Sequence, residues 1–221
     1  MTDGARIARS SLRRAALWAA LLAALVAVAL AAWWTRRAPE AEPPPVLAEL
    51  DADFTLTDRT GREVGPEDLA GAPWVADLIF TRCVLACPMM TTKMANLDAE
   101  LPRGGADGGG PAVRLVSITV DPDHDTPEAL AEYAGRFDAS DRWLFLTGGR
   151  DDLVALAAEG LRLGFDPNPP LVPLAPGDDV YHSTRFVLVD ADNRVRGYYD
   201  TEDPAALDQL RTDLDALLAE S

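Results

Sequence analysis

The chain has 221 residues, which is enough for one domain with a sizeable hydrophobic core and one appendage. Its formal charge of −16 is unevenly distributed, since residues 1–40 hold six arginines and two acidic residues, whereas the rest holds 14 Lys and Arg against 34 Asp and Glu. A domain this acidic repels phosphates, and this excludes nucleic acid as a partner.

Residues 15–34 contain no charged side chain, and twenty such residues span a hydrocarbon core of about 30 Å as a helix. Arginines flank this segment, with the larger group before it. The positive excess predicts a cytoplasmic basic segment at 1–14 and one transmembrane anchor at 15–34. It also predicts an acidic part on the periplasmic or extracytoplasmic side of the inner (cytoplasmic) membrane.

A cleaved signal peptide is the alternative reading of the same segment, because Ala29-Leu30-Ala31 resembles a cleavage site. The length of the apolar run and the tryptophan pair Trp33-Trp34, placed where an interfacial aromatic belt lies, favour the uncleaved anchor. In both cases the acidic part is exported to a compartment where cysteine pairs can oxidise.

After the anchor, the chain alternates strands and helices. Residues 35–48 form a Pro- and Glu-rich linker, and 49–221 form the predicted domain. Its predicted elements are a hairpin (53–64), strands (74–80, 113–120, 143–146, 185–190 and 195–199), helices (88–101, 126–137, 151–161 and 204–218) and a long proline-rich loop (164–179). The alternation implies an α/β fold, a three-layer sandwich, and the strand, cysteine loop and helix near its start indicate a thioredoxin-like arrangement.

Both cysteines of the chain, Cys83 and Cys87, lie between the first buried strand and the first long helix. Pro88 suits the first helical position, which would place Cys87 at the helix N-terminus, where the macrodipole favours a thiolate. The alternative is a structural disulfide, but closing a five-residue loop contributes only about 2 kcal/mol. The pair is therefore interpreted as two activated sulfurs.

Four ordered blocks of this sequence carry a family resemblance. FTRCVLACP, VSITVDPDHDTPEAL, RWLFLTG and HSTRFVLVD together resemble the Sco/SenC family. The resemblance runs from about Phe54 to the final helix. It implies a membrane-anchored, thioredoxin-fold copper protein that helps to assemble the dinuclear copper centre of cytochrome c oxidase. It also implies that Cys83, Cys87 and His182 bind copper.

Two thiolates and one imidazole suit Cu(I), and with added oxygen ligands they also hold Cu(II). Asp121 follows a buried strand near the cysteines and is a candidate second-shell residue that hydrogen-bonds a ligand. His124, the other histidine, is interpreted as lying outside the ligand set, and Asp125 as helix punctuation before the N-cap. Met89 and Met90 are interpreted as packing residues. Asp77, inside an apolar strand, has no evident role.

Three functions remain in competition at this stage. The leading one is a copper carrier whose partner is the copper-binding subunit of cytochrome c oxidase. The second is a thiol–disulfide oxidoreductase that uses a redox disulfide between Cys83 and Cys87 to reduce the cysteines of the oxidase. The three-residue spacing and His182 favour metal. A peroxidase is disfavoured because it needs Thr three residues before its cysteine, where this chain has Phe80.

Overall fold

The structure is a computed structural model, and it describes residues 18, 21–28, 42–84, 86–101, 104, 112–163 and 184–220. Two compact units, Met1–Ala41 and Glu42–Ser221, divide the chain. The elements of the second unit are β1 (Ala48–Glu49), β2 (Leu56–Asp58), β3 (Glu63–Val64), α1 (Pro66–Leu69), β4 (Trp74–Ile79), α2 (Ala86–Glu100), β5 (Arg114–Thr119), α3 (Pro127–Gly135), β6 (Trp143–Gly148), α4 (Arg150–Val154), a π-helical turn (Ala155–Gly160), β7 (Arg185–Val189), β8 (Arg194–Asp200) and α5 (Pro204–Glu220).

In the first unit, the described residues 18 and 21–28 are helical and exposed. Within the described ranges no helix is both long enough and apolar enough to cross a bilayer. The rest of the anchor predicted at 15–34, and the whole basic segment 1–14, lie outside the described residues.

The described strands of the second unit form one mixed sheet in the order β1-β8-β7-β4-β5-β6-β2-β3. Strands β4, β5 and β6 are parallel, and the outer strands pair antiparallel. All six residues of β4 are buried, which agrees with the central strand predicted from its apolar run. The register pairs Ile79 with Thr119, so β4 and β5 end side by side at one edge of the sheet.

Helices cover both faces of this sheet, because successive side chains of each strand point to opposite sides. One hydrophobic cluster takes Trp74 from β4 together with Leu153 and Leu156 from α4 and the π-helical turn. The other takes Val75 from the same strand and residues of α2, α3 and α5, among them Met94, Leu130 and Leu214. The predicted α/β arrangement of a sheet between two helical layers is therefore present.

A segment predicted as linker is part of the sheet unit. Residues 42–50 lie along β8, and β1 pairs with it antiparallel. The buried guanidinium of Arg196 donates from Nε to the Pro44 carbonyl at 2.6 Å and from Nη1 to Asp190 Oδ2 at 2.7 Å. The compact unit accordingly begins at Glu42, before the domain boundary predicted at residue 49.

Two helix predictions differ from the structure in detail. Helix α2 begins at Ala86, so Pro88 is its third residue rather than its first, a place in the first turn where proline is tolerated. The helix predicted over 151–161 is α4 followed by the π-helical turn. The loop predicted at 164–179 lies outside the described residues, as does His182.

Candidate functional site

Cys83 and Cys87 lie at the junction between β4 and α2, and no disulfide joins them. Cys83 is partly exposed, whereas Cys87 has 0% exposure and belongs to the hydrophobic cluster under α2. The backbone N–H of Cys87 donates to the Sγ atom of Cys83 at 3.3 Å. The sulfur of Cys83 can therefore be reached from solvent, whereas the side chain of Cys87 is enclosed in the core.

The prediction of a thiolate at Cys87 is wrong. Its side-chain hydrogen bond with Cys83, and next its burial, raise the pKa of Cys87 above the ordinary thiol value. The physical reason is the earlier start of α2, which turns the Cys87 side chain into the core and directs its backbone N–H at Cys83. The N-terminus of α2, which stabilises negative charge, therefore acts on the sulfur of Cys83 and not on that of Cys87.

The buried hydroxyls of Thr91 and Tyr133 hydrogen-bond the first turn of α2 on its core side. Thr91 Oγ1 donates to the Cys87 carbonyl at 2.8 Å, and the Tyr133 hydroxyl lies 2.8 Å from the same Oγ1. The Thr91 hydroxyl has a single proton, which it donates to the Cys87 carbonyl. The Tyr133 hydroxyl is therefore the donor in the second bond. Burial raises the pKa of Tyr133, so this donor keeps its proton.

Asp77, which had no role in the sequence analysis, belongs to a buried polar network behind the cysteines. Ser117 Oγ donates to Asp77 Oδ1 at 2.6 Å, and Trp143 Nε1 donates to Ser117 Oγ at 2.9 Å. The charge of Asp77 adds to the raised pKa of Cys87, after the hydrogen bond with Cys83 and the burial. Sequence alone places a carboxylate in this strand, but Ser117, which donates to it, comes from β5, and Trp143, which donates to Ser117, comes from β6.

A second buried carboxylate, Asp125, fastens the cysteine loop to β5. Its oxygens accept the backbone N–H of Thr81 at 3.1 Å and the hydroxyls of Thr81 and Thr119 at 2.5 Å each. The interpretation of Asp125 as helix punctuation is therefore wrong, while Thr126 caps α3 as expected. A sequence signal for this role was present, since Thr81 follows β4 and Thr119 ends the adjacent parallel strand β5.

Asp121 is buried beside Asp125 and faces the same loop. Arg82 donates to Asp121 Oδ2 from Nε at 2.9 Å and from Nη2 at 2.6 Å. His124 Nδ1 lies 3.0 Å from Asp121 Oδ1. The carboxylates of Asp121 and Asp125 thus join the loop 121–125 to the residues that precede Cys83.

The described residues contain no group of three or more His, Cys, Asp and Glu side chains that could hold a metal ion. The third predicted ligand, His182, lies outside the described residues, so the structure places two of the three ligands and brings them together. Two neighbouring thiols suit a soft metal ion such as Cu(I).

The two methionines at the start of α2 differ from each other. Met90 is 2% exposed and packs in the core, which confirms its interpretation as a packing residue. Met89 is 57% exposed, so the same interpretation is wrong for Met89. A helix that buries one face leaves the neighbouring position on the solvent side.

A mixed α/β sheet with helices on both faces, and a dithiol where the central strand meets a helix, defines a thioredoxin-like dithiol protein. Residues 43–218 match the SCO1/SenC family model. The chain belongs to the SCO1/SenC family.

Sequence relatives of this chain include two bacterial proteins. The SCO1 protein homolog of Bacillus subtilis is 32% identical over 164 residues, which cover 73% of this chain and 79% of the relative. A putative copper-binding protein of Stutzerimonas stutzeri is 30% identical over 167 residues, 74% of each chain.

Solved structures of family members share the fold. BsSco, described as a member of the Sco family of cytochrome c oxidase assembly proteins with a disulfide switch, is 29% identical with a TM-score of 0.63. The match covers 82% of this chain and 99% of BsSco. Copper-bound yeast Sco1 is 26% identical with a TM-score of 0.58, and the match covers 76% of this chain and 87% of Sco1.

Proposed function

We propose that this protein is a membrane-anchored copper carrier that delivers copper to the dinuclear copper centre of cytochrome c oxidase. Cys83, Cys87 and His182 hold the ion. The observation that carries the proposal is the pair of thiols at one sheet edge, of which one is partly exposed and one is buried. Two sulfur donors provide most of the affinity for a soft ion, and an imidazole completes the set.

The unequal exposure of the two sulfurs suits a carrier. A ligand from the recipient can approach the ion from the side of Cys83, while Cys87 still holds it from the core. The ion then passes between proteins through shared coordination and is never released as a free ion. The relatives support copper as the cargo, since one is named a putative copper-binding protein and yeast Sco1 has been solved with copper bound.

The recipient we propose is the copper-binding subunit of cytochrome c oxidase, and BsSco supports this as a member of a family of oxidase assembly proteins. We place the carrier domain on the outer side of the inner membrane, with residues 15–34 as a single-pass anchor. A SCO1/SenC family lipoprotein from Bacillus anthracis supports a membrane location for such domains. An anchor keeps the carrier close to a membrane-bound recipient and raises its effective concentration there.

A thiol–disulfide oxidoreductase is the second candidate. The hydrogen bond from the Cys87 backbone to the Cys83 sulfur favours it, because that bond stabilises the thiolate that attacks a partner disulfide. Cys87 is then the resolving thiol, and a disulfide between the two is the oxidised product. The disulfide switch described for BsSco supports this chemistry in a relative.

Copper titration of the reduced full-length protein tests the ligand set. We expect one copper per chain and loss of tight binding in Cys83→Ser and in Cys87→Ser, since each removes half of the soft donors. His182→Ala should weaken binding and change the Cu(II) spectrum, whereas His124→Ala should leave the affinity unchanged. If His124→Ala weakened binding as much as His182→Ala, the proposed ligand set would be wrong.

A further inference from the structure

His124 lies on the loop that is fastened to the cysteine loop, and 44% of its side chain is exposed. Its Nδ1 atom lies 3.0 Å from Oδ1 of the buried Asp121. A carboxylate in this position accepts the Nδ1 proton and leaves the lone pair on Nε2, the arrangement that prepares an imidazole to bind a metal ion.

Asp121 orients this imidazole and has little capacity left to bind a metal itself. Its second oxygen, Oδ2, already accepts two hydrogen bonds from the Arg82 guanidinium. The same guanidinium, which lies 2.6 Å from Oδ2, pairs with this carboxylate and holds it in place beside the imidazole. The described part of the chain therefore offers one nitrogen donor here, with a fixed tautomer.

The loop that carries His124 is hydrogen-bonded to the two residues that precede Cys83, the accessible cysteine. Arg82, which holds Asp121, is the residue before Cys83, and Thr81 is bonded to Asp125, the residue after His124. Both loops leave the sheet at the same edge, where β4 and β5 end in register. An ion bound at His124 is thus held beside the approach to the cysteine pair.

We propose that His124 is a transit ligand for copper, which binds the ion briefly on its way to or from Cys83. This inference rests on the proposed carrier function. A single imidazole nitrogen holds an ion weakly, so an ion bound by His124 exchanges easily. The acidic surface of the protein attracts cations to this loop in the first place.

A variant without the main site tests whether His124 binds copper at all. The chain has two histidines, so in full-length Cys83→Ser/Cys87→Ser/His182→Ala His124 is the only one left. We expect weak Cu(II) binding with the EPR signature of one imidazole nitrogen, and loss of that signature when His124→Gln is added. The same spectrum with and without His124→Gln would overturn the proposal.

This measurement does not depend on copper delivery. If the unsubstituted protein bound no copper at its cysteine pair, the carrier function would fail, and the EPR comparison would still decide whether His124 is a ligand.

Stopped-flow loading of the reduced full-length protein with Cu(II), followed by the copper–thiolate absorption band, tests the transit role. We expect His124→Gln to load about tenfold more slowly, with an equilibrium affinity within about twofold of the unsubstituted protein. Asp121→Asn should slow loading in the same direction, because it weakens the orientation of the imidazole. An unchanged rate in His124→Gln would overturn the proposal, and so would an equal loss of rate and affinity, which marks a resident ligand or a structural residue.

Discussion

The backbone N–H of Cys87 donates to the Sγ atom of Cys83 at 3.3 Å, so the first turn of α2 stabilises negative charge on this partly exposed sulfur. We predict that Cys83 reacts much faster than Cys87. Alkylation by iodoacetamide should be at least about tenfold faster in Cys87→Ser than in Cys83→Ser, because buried Cys87 reacts only when the helix opens locally.

The control for this comparison is the unfolded state, where both single-cysteine variants should react at the same rate. A faster reaction of Cys87 than of Cys83 in the folded protein would contradict the assignment of the reactive sulfur.

Asp125 should be necessary for the stability of the cysteine loop. In Asp125→Ala, the Thr81 backbone and the hydroxyls of Thr81 and Thr119 lose their acceptor, at a cost of about 1–3 kcal/mol in the free energy of unfolding. Urea denaturation measures this loss. Asp123→Ala is the matched control, since Asp123 is exposed and its partner among the described residues is Arg150. It should cost less than about 1 kcal/mol.

The stability of the protein should also depend on pH through Asp125. Burial raises the pKa of this carboxyl above its ordinary value of 3.8, although its hydrogen bonds oppose the shift. The folded state therefore binds the proton more tightly, and this contribution is full below pH 3.8 and is lost as the pH rises through the folded pKa. Asp125→Asn should remove this component from the unfolding free energy measured between pH 3 and 8, and identical pH profiles would contradict the assignment.

The sequence predicted the central strand and its cysteine loop because a fully buried strand reads as a continuous apolar run, as in Trp74–Ile79. The role of Asp77 was not predictable, since Ser117, which donates to it, lies in another strand. The role of Asp125 was not predictable either, because Thr81 after β4 and Thr119 in β5 meet only once the sheet has formed. The state of Cys87 was mispredicted because it depended on the exact start of α2, and helix boundaries are the least certain feature of a sequence prediction.

Arg196 should hold the segment 42–50 on the sheet. Its buried guanidinium bonds both Asp190 and the Pro44 carbonyl, so Arg196→Met leaves a buried carboxylate with fewer partners. We expect a loss of about 3 kcal/mol in the free energy of unfolding and faster hydrogen exchange at the Leu47 amide, which bonds Val195.

Arg211→Met is the control for this prediction, because within the described part of the chain Arg211 forms exposed ion pairs, with Glu100 and Asp208. Such pairs should contribute less than about 1 kcal/mol. Equal losses in Arg196→Met and Arg211→Met would show that the segment does not depend on Arg196.

The proposed anchor predicts the topology of the chain in cells. A reporter that is active only outside the cytoplasm should be active when fused after Ser221, and the protein should resist extraction by alkaline carbonate. These results follow from the uncharged segment 15–34 and the arginines before it. A soluble mature form that starts near Ala32 would show instead that the segment is a cleaved signal peptide.

Carrier and reductase both require Cys83 and Cys87, so His182 is the residue that separates them. A carrier needs an imidazole to complete the copper site, whereas thiol exchange needs only a thiolate, a leaving thiol and access. The most direct measurement is cytochrome c oxidase activity in cells that carry His182→Ala, grown with limiting and with excess copper. The carrier function predicts low activity at limiting copper and at least partial recovery in excess copper, and full activity at limiting copper would contradict it.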